Sequence, residues 1–206
     1  MSGGQFKMPV TFRGPSGAAL QLGAQHSQAL EAVYAHFPGI KVVVPGTPAD
    51  AKGLLKAAIR DDDPVCVFEG EMLYNLKGEV PEDDDFVIPL GVADLKREGS
   101  DVSIITHGKM IHVALQAAAQ LEKDGVDAEV LDLRSLRPLD MDTVAASVAK
   151  TNRALCVEAE ARPALPLGRN TVVGNCALQH ERAPGVQTAN QRLQFAHKAL
   201  NRKLSH

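Results

Sequence analysis

Short runs of β-branched and aliphatic residues recur along the chain: "IKVVVP" (40–45), "VCVF" (65–68), "VSIIT" (102–106), "AEVLDL" (128–133) and "ALCVE" (154–158). They are nearly continuous rather than alternating, as strands covered on both faces require. Segments with helical spacing separate most of them. Two neighbouring parallel strands need a crossover of a dozen or more residues, usually a helix. The pattern therefore predicts an α/β chain with parallel sheets and right-handed crossovers.

The helices are legible from caps and stripes. Leu30, Val33, Tyr34 and Phe37 fall at i, i+3, i+4 and i+7, which predicts a helix from Ser27 that Pro38-Gly39 stops. Thr47-Pro48-Ala49-Asp50 opens the next: Thr caps, Pro takes the first helical position, and Asp meets the positive end of the dipole. Its apolar stripe is Ala51, Leu54, Leu55, Ala58 and Ile59. Two further helices are expected near 110–124, closed by Gly125, and near 141–150. Residues 10–24 are small and glycine-spaced, and "FRGPSG" reads as a turn. Residues 75–91 include the acidic stretch "KGEVPEDDDF" and read as a linker between units at 1–74 and 92–158. Residues 159–206 hold seven Lys or Arg against Glu160 and Glu181, and read as a basic tail outside the sheets.

Composition removes several classes. A net charge of −3 over 206 residues gives no case for nucleic acid or an anionic membrane. No apolar run approaches the roughly 18 residues that span a bilayer. Neither a signal-peptide core nor a transit-peptide composition stands at the start. Cys66, Cys156 and Cys176 are odd in number and widely spaced, with no CxxC, so a reducing compartment fits. There is no phosphate loop, GxGxxG, HExxH or GxSxG. Residue patterns alone stop at an α/β protein whose ligand site is open.

Longer words carry more. "FRGPSGAALQLGAQHSQALEAVYAHFPGIKVVVPGTPADAKGLLKAAIRDDDPVCVFEGEMLYN", then "IPLGVADLKREGSDVSIITHGKM" and "AEVLDLRSLRPLDMDTVAASVAKTNRALCVE", resemble the beta subunits of pyruvate dehydrogenase. Those are the thiamine diphosphate-dependent first components of 2-oxo acid dehydrogenase complexes. The resemblance covers about residues 1–158. It implies the rear part of a pyrimidine-binding transketolase-like domain at 1–74 and a transketolase C-terminal-like domain at 92–158. Gln25 stands where branched-chain relatives usually have tyrosine, which points to pyruvate. Branched-chain 2-oxo acid and acetoin dehydrogenase beta chains are the enzyme alternatives, and a non-catalytic assembly fragment is the other.

The resemblance also implies roles. Thiamine diphosphate lies between alpha and beta chains, with magnesium on the alpha chain. Pyruvate is decarboxylated, and the two-carbon fragment passes to a lipoyl arm of the dihydrolipoyl acetyltransferase. The expected partners are the alpha subunit, a second beta subunit and that acetyltransferase. The expected location is the bacterial cytoplasm, or the mitochondrial matrix in a eukaryote. Opening the lipoyl disulfide needs a proton donor near pH 7, a task for imidazole. The matching residue is His26 in "GAQHSQ". The plain alternative is a histidine that only hydrogen-bonds at a helix start. In "AAIRDDDP", Ala58, Ile59, Asp61 and Asp63, with Val10, match a structural monovalent cation site, possible occupant potassium. Free carbonyls at a helix end suit such an ion, and a solvated acidic helix stop is the alternative.

Other polar residues have plain readings. Glu69 and Glu71 follow a strand and line an interface or meet solvent. His107 and Lys109 also follow a strand but are not expected to be catalytic. His112 falls inside a helix, and Asp83-Asp84-Asp85 reads as a solvated loop.

Two departures from the resemblance stand out. Met1 aligns with an internal stretch of the family, so the glutamate expected to engage the cofactor's aminopyrimidine has no counterpart here. After Glu158, "AEARPALPLGRNTVVGN" departs from the family pattern, as a frame-shifted tail would. A chain lacking the first strands of its domain would leave a sheet edge uncovered, and is expected to be marginal and inactive alone.

Overall fold

The computed structural model describes residues 5–17, 23, 25 and 27–159. Two four-stranded sheets organise them. The first comprises β1 (Thr11–Ser16), β2 (Lys41–Val43), β3 (Val65–Gly70) and β7 (Ser135–Arg137), in the order β1-β3-β2-β7. The second comprises β4 (Asp94–Arg97), β5 (Val102–Thr106), β6 (Ala128–Asp132) and β8 (Ala154–Cys156), in the order β4-β6-β5-β8. Helices α1 (Glu31–His36), α2 (Pro48–Ile59), α3 (Met110–Lys123) and α4 (Met141–Thr151) connect them.

The buried parallel strands form where the apolar runs predicted. All six residues of β3 are buried, since it pairs with β1 on one side and β2 on the other. Leu54 and Ala58 of α2 pack with Val43, Val65, Val67 and Ile88 on one face of the first sheet. On its other face lie Val42, Val44, Cys66 and Phe68. In the second sheet, Ala114 and Ala118 of α3 lie against Ile104, Ala128 and Val130. Val144 of α4 covers Ile105 and Leu131 opposite. Thr47 caps α2 as read: its hydroxyl accepts from the Asp50 amide at 3.1 Å. Asn152 closes α4 at φ +56°, a left-handed position that asparagine tolerates better than most residues.

Three details differ from the sequence reading. "FRGPSG" is strand β1, in register with β3 from Thr11 opposite Val65 to Ser16 opposite Gly70. Pro15 is tolerated because β1 is an edge strand. Helix α1 begins at Glu31, not Ser27. The Gln28 carbonyl accepts from the Gly17 amide (2.9 Å) and the Leu30 amide donates to Ser16 Oγ (3.2 Å), so tertiary bonds claim the groups a first helical turn would use. The sheets are not wholly parallel: β4 joins β6 and β7 joins β2 antiparallel. Residues 75–91, the expected linker, are strapped to α2. Lys52 Nζ donates to the Pro81 carbonyl at 2.5 Å, Arg60 pairs with Asp85 at 3.1 Å, and Ile88 enters the core.

Strand β7 matters most for the architecture. It follows β6 of the second sheet after two residues, yet hydrogen-bonds to β2 of the first. The two sheets are thereby joined through backbone.

Candidate functional site

In open α/β sheets, ligands gather beyond the carboxyl ends of the strands. Here a cleft opens at the ends of β1 and β3, lined by Pro15, Ser16, Gly17, Gln25, Gln28, Leu30 and Glu71. Its wall is rigid. Ser16 Oγ donates to Glu31 Oε2, and Glu31 is 7% exposed. Arg13 Nε donates to Glu69 Oε1 at 2.6 Å, which gives the buried Glu69 carboxylate a partner within the chain. Among the described residues, none hydrogen-bonds the buried Glu71 Oε2. Among the described lining residues Glu71 carries the one charged side chain, and a Cβ on Gly17 would meet Lys109 Nζ at 3.6 Å.

His26 lies outside the described residues. Gln25 and Gln28, its neighbours in "GAQHSQ", both border the cleft.

The cation-site residues form one corner of the first sheet. The Val10 carbonyl accepts from the Val65 amide at 2.9 Å. The Ala58 carbonyl accepts from Thr11 Oγ1 (3.1 Å) and from the Asp61 amide (3.3 Å). Both Asp61 oxygens accept from Lys41 Nζ at 2.8 Å, and Asp63 Oδ2 lies 3.1 Å from it. Burial pushes the Asp61 carboxyl up, but Lys41 and the Asp63 amide more than offset this and hold it below the usual range. The oxygens are of the hard kind a monovalent ion prefers. Lys41 already supplies the positive charge there.

A second polar constellation, missed from sequence, sits on the seam between the sheets. Asp50 at the start of α2 and Asp132 at the end of β6 are 2% and 0% exposed. Arg134 Nη1 reaches Asp50 Oδ1 at 3.3 Å, while its other nitrogens donate to the Val92 and Ala93 carbonyls. Lys96 Nζ lies 2.5 Å from Asp94, 3.4 Å from Asp50 and 3.8 Å from Asp132. Arg134 adopts φ +53°, and its carbonyl accepts from the Val44 amide at 2.7 Å. Asp132 Oδ2 is buried without a hydrogen-bond partner. Burial, with Asp50 adding to it, outweighs Lys96 and Arg134 and pushes the Asp132 carboxyl up to about 7. The only sequence signal was position: "DLR" follows the carboxyl end of a strand.

The seam is tight elsewhere too. His112 Nε2 donates to the Gly46 carbonyl at 2.8 Å, so this residue has a packing role across the sheets. A Cβ on Gly46 would come within 2.5 Å of Ile111 Cδ1 and 2.9 Å of the Gly108 carbonyl oxygen. Among the described residues, none hydrogen-bonds the buried His107 Nδ1. Burial drives that imidazole below its ordinary value, against the pull of the Glu31 and Glu158 carboxylates.

Two family matches fit this arrangement of two joined sheets. The family described as "Transketolase, pyrimidine binding domain" matches residues 1–77. "Transketolase, C-terminal domain" matches residues 91–165. The chain belongs to the transketolase-like family. Its relatives include the pyruvate dehydrogenase E1 component subunit beta of Rhizobium meliloti, 54% identical over 77% of this chain and 34% of that protein. The acetoin:2,6-dichlorophenolindophenol oxidoreductase subunit beta of Bacillus subtilis is 53% identical over 79% and 47%. The 2-oxoisovalerate dehydrogenase subunit beta of the same organism is 50% identical over 76% and 48%. A solved structure titled "Split gene transketolase, inactive beta4 tetramer" matches with a TM-score of 0.60 at 29% identity, covering 74% of this chain and 48% of that one. The chain thus spans about a third to a half of the length of these proteins. It is of the E1 beta type of the 2-oxo acid dehydrogenase family, and the relatives include pyruvate, acetoin and branched-chain members. No helix among the described residues is long and apolar enough to cross a membrane.

Proposed function

We propose that this chain is the beta-type part of a pyruvate dehydrogenase, contributing to oxidative decarboxylation of pyruvate and acetyl transfer to lipoamide. The observation that carries this reading is the cleft. Its wall includes both glutamines of "GAQHSQ", and it lies at the carboxyl ends of β1 and β3, where open α/β sheets gather ligands. A cofactor shared with an alpha subunit would meet this cleft on one side and that subunit on the other, which would carry the magnesium and the diphosphate.

Thiamine diphosphate, when bound, supplies the carbanion and the electron sink of the reaction. This chain's own residues bind and shape. Ser16 and Glu31 hold the wall, and Glu71 offers an acceptor to a donor on the ligand. His26 is the proposed proton donor to the opening lipoyl disulfide. The proposed partners are an alpha subunit, a second beta subunit and the dihydrolipoyl acetyltransferase, in the cytoplasm of a bacterium. A potassium ion, if held, would take the carbonyls of Val10, Ala58 and Ile59 with Asp61 and Asp63, and would share Asp61 with Lys41.

Reconstitution with alpha subunit and acetyltransferase tests the reading. His26→Ala should assemble normally yet lose lipoyl acetylation; undiminished turnover would refute it. Assays with pyruvate, branched 2-oxo acids and acetoin on the same complex discriminate the substrate. One observation favours a second reading, a non-catalytic assembly fragment. The split-gene relative's title describes an inactive tetramer of beta chains. A chain that self-associates and shows no gain of activity on adding the alpha subunit would support that reading instead.

A further inference from the structure

The cleft beyond β1 and β3 takes its walls from the first sheet, yet a side chain of the second sheet's unit reaches it. Lys109 follows β5 and stands at the start of α3. Its backbone is pinned against the first sheet. His112, one helical turn on, donates from Nε2 to the Gly46 carbonyl at 2.8 Å. Ile111, fully buried, fills the space beside Gly46, where a Cβ would come within 2.5 Å of it. From that anchor the half-buried lysine crosses the carboxyl ends of two strands. Its Cβ lies 3.6 Å from where a Cβ on Gly70, the last residue of β3, would stand. Its Nζ lies 3.6 Å from where one on Gly17, just past β1, would stand. Gly17 is part of the cleft wall. The ammonium therefore arrives at the cleft's margin, on a stem whose root the contacts between the two sheets hold in place.

The opposite charge is in the same cleft. Glu71, the residue after Gly70, is in the lining, and none of the described residues hydrogen-bonds its buried Oε2. Glu71 repels a carboxylate and Lys109 attracts one. A small anion is thereby given one orientation, its carboxylate toward Gly17 and Lys109, its uncharged end toward Pro15 and Leu30. A lysine ammonium offers three donors and a full charge. Its bonds to a carboxylate are roughly twice as strong as bonds between neutral groups. The candidate substrates differ in this one respect: 2-oxo acids carry a carboxylate, and acetoin does not.

We propose that Lys109 is a specificity-determining residue, which receives the carboxylate of a 2-oxo acid at the cleft beyond β1 and β3 and so separates anionic 2-oxo acids from neutral acetoin. The proposal rests on the 2-oxo acid reading given above and names the residue that reads the acid.

Ligand-observed NMR on the complex reconstituted with an alpha subunit tests it. The complex is loaded with an unreactive analogue of thiamine diphosphate, so that no probe is consumed, and the probes are pyruvate and its neutral methyl ester. The wild type should bind pyruvate about tenfold tighter than the ester, or more. Lys109→Met should weaken pyruvate alone and bring the two within about threefold, and Lys109→Arg should keep the preference. Equal binding of both probes to the wild type overturns the proposal, as does a Lys109→Met complex that weakens both alike or neither. If Lys109→Met fails to fold, Lys109→Gln, polar but uncharged, decides by the same comparison. With the true cofactor, Lys109→Met should raise KM for pyruvate about tenfold with a smaller change in kcat, and leave KM for acetoin within about twofold. A complex that binds pyruvate through Lys109 yet acetylates no lipoamide defeats the functional reading and leaves this one standing. One that turns pyruvate over with a KM unmoved by Lys109→Met does the reverse.

Discussion

Replacing Asp132 by Asn should make this chain more stable in mild alkali and leave it nearly unchanged in mild acid. The seam cluster holds three carboxylates, Asp50, Asp94 and Asp132, against two cations, Lys96 and Arg134. With all ionised, one negative charge is uncompensated. Asp132 is the fully buried member, and its carboxyl is pushed from 3.8 up to about 7, chiefly by burial. A carboxyl raised on folding makes the folded chain bind its proton more tightly. The resulting stability is fully present below about pH 4 and is lost as pH rises through about 7. Roughly three pKa units at 1.36 kcal/mol each give about 4 kcal/mol, an upper figure since the neighbouring charges readjust. Asparagine keeps the oxygen that accepts from the Arg134 amide at 3.1 Å and removes the titrating group. Urea unfolding followed by circular dichroism from pH 5 to 8.5 measures it. The wild type should lose stability across the range and Asp132→Asn should be flatter, more stable by about 2–4 kcal/mol at pH 8.5. Parallel curves, or a variant weaker than wild type at pH 8.5, would refute the reasoning.

Leu54→Ala removes a fully buried side chain between α2 and the first sheet, and should cost about 2–5 kcal/mol in urea unfolding. Gly46→Ala should destabilise by about 1–3 kcal/mol, because its Cβ meets the backbone oxygen of Gly108 as well as Ile111. Gly14→Ala, with nothing within 4 Å of the added carbon, is the control for that measurement. Lys41→Met leaves Asp61 and Asp63 without their ammonium partner. If the corner binds potassium, the variant's melting temperature should rise more in potassium chloride than in tetramethylammonium chloride at equal ionic strength; equal shifts reject the ion site.

Much of the fold was legible because it rests on local rules. The runs at 65–68, 102–106 and 128–133 are strands since continuous burial leaves them no alternative. Thr47-Pro48 starts α2 through a bond spanning three residues. The E1 beta resemblance was legible too, and it supplied His26 as a candidate where spacing alone could not. What escaped were elements whose bonds come from afar. "FRGPSG" is a turn by composition and a strand by partnership, because β3 supplies hydrogen bonds across 54 residues of chain. Helix α1 lost its predicted first turn to Ser16 and Gly17 for the same reason.

The sequence by itself determined the alternation of strands and helices, the capped α2 and the apolar residues that became the cores. Only the tertiary structure decided that β7 crosses to the first sheet, that Asp50 meets Arg134 84 residues away, and that Ser16 clamps Glu31. The physical reason is range. Helical periodicity and caps are written within a few residues, whereas the energy of a buried charge or an edge strand depends on whatever the folded chain places opposite it.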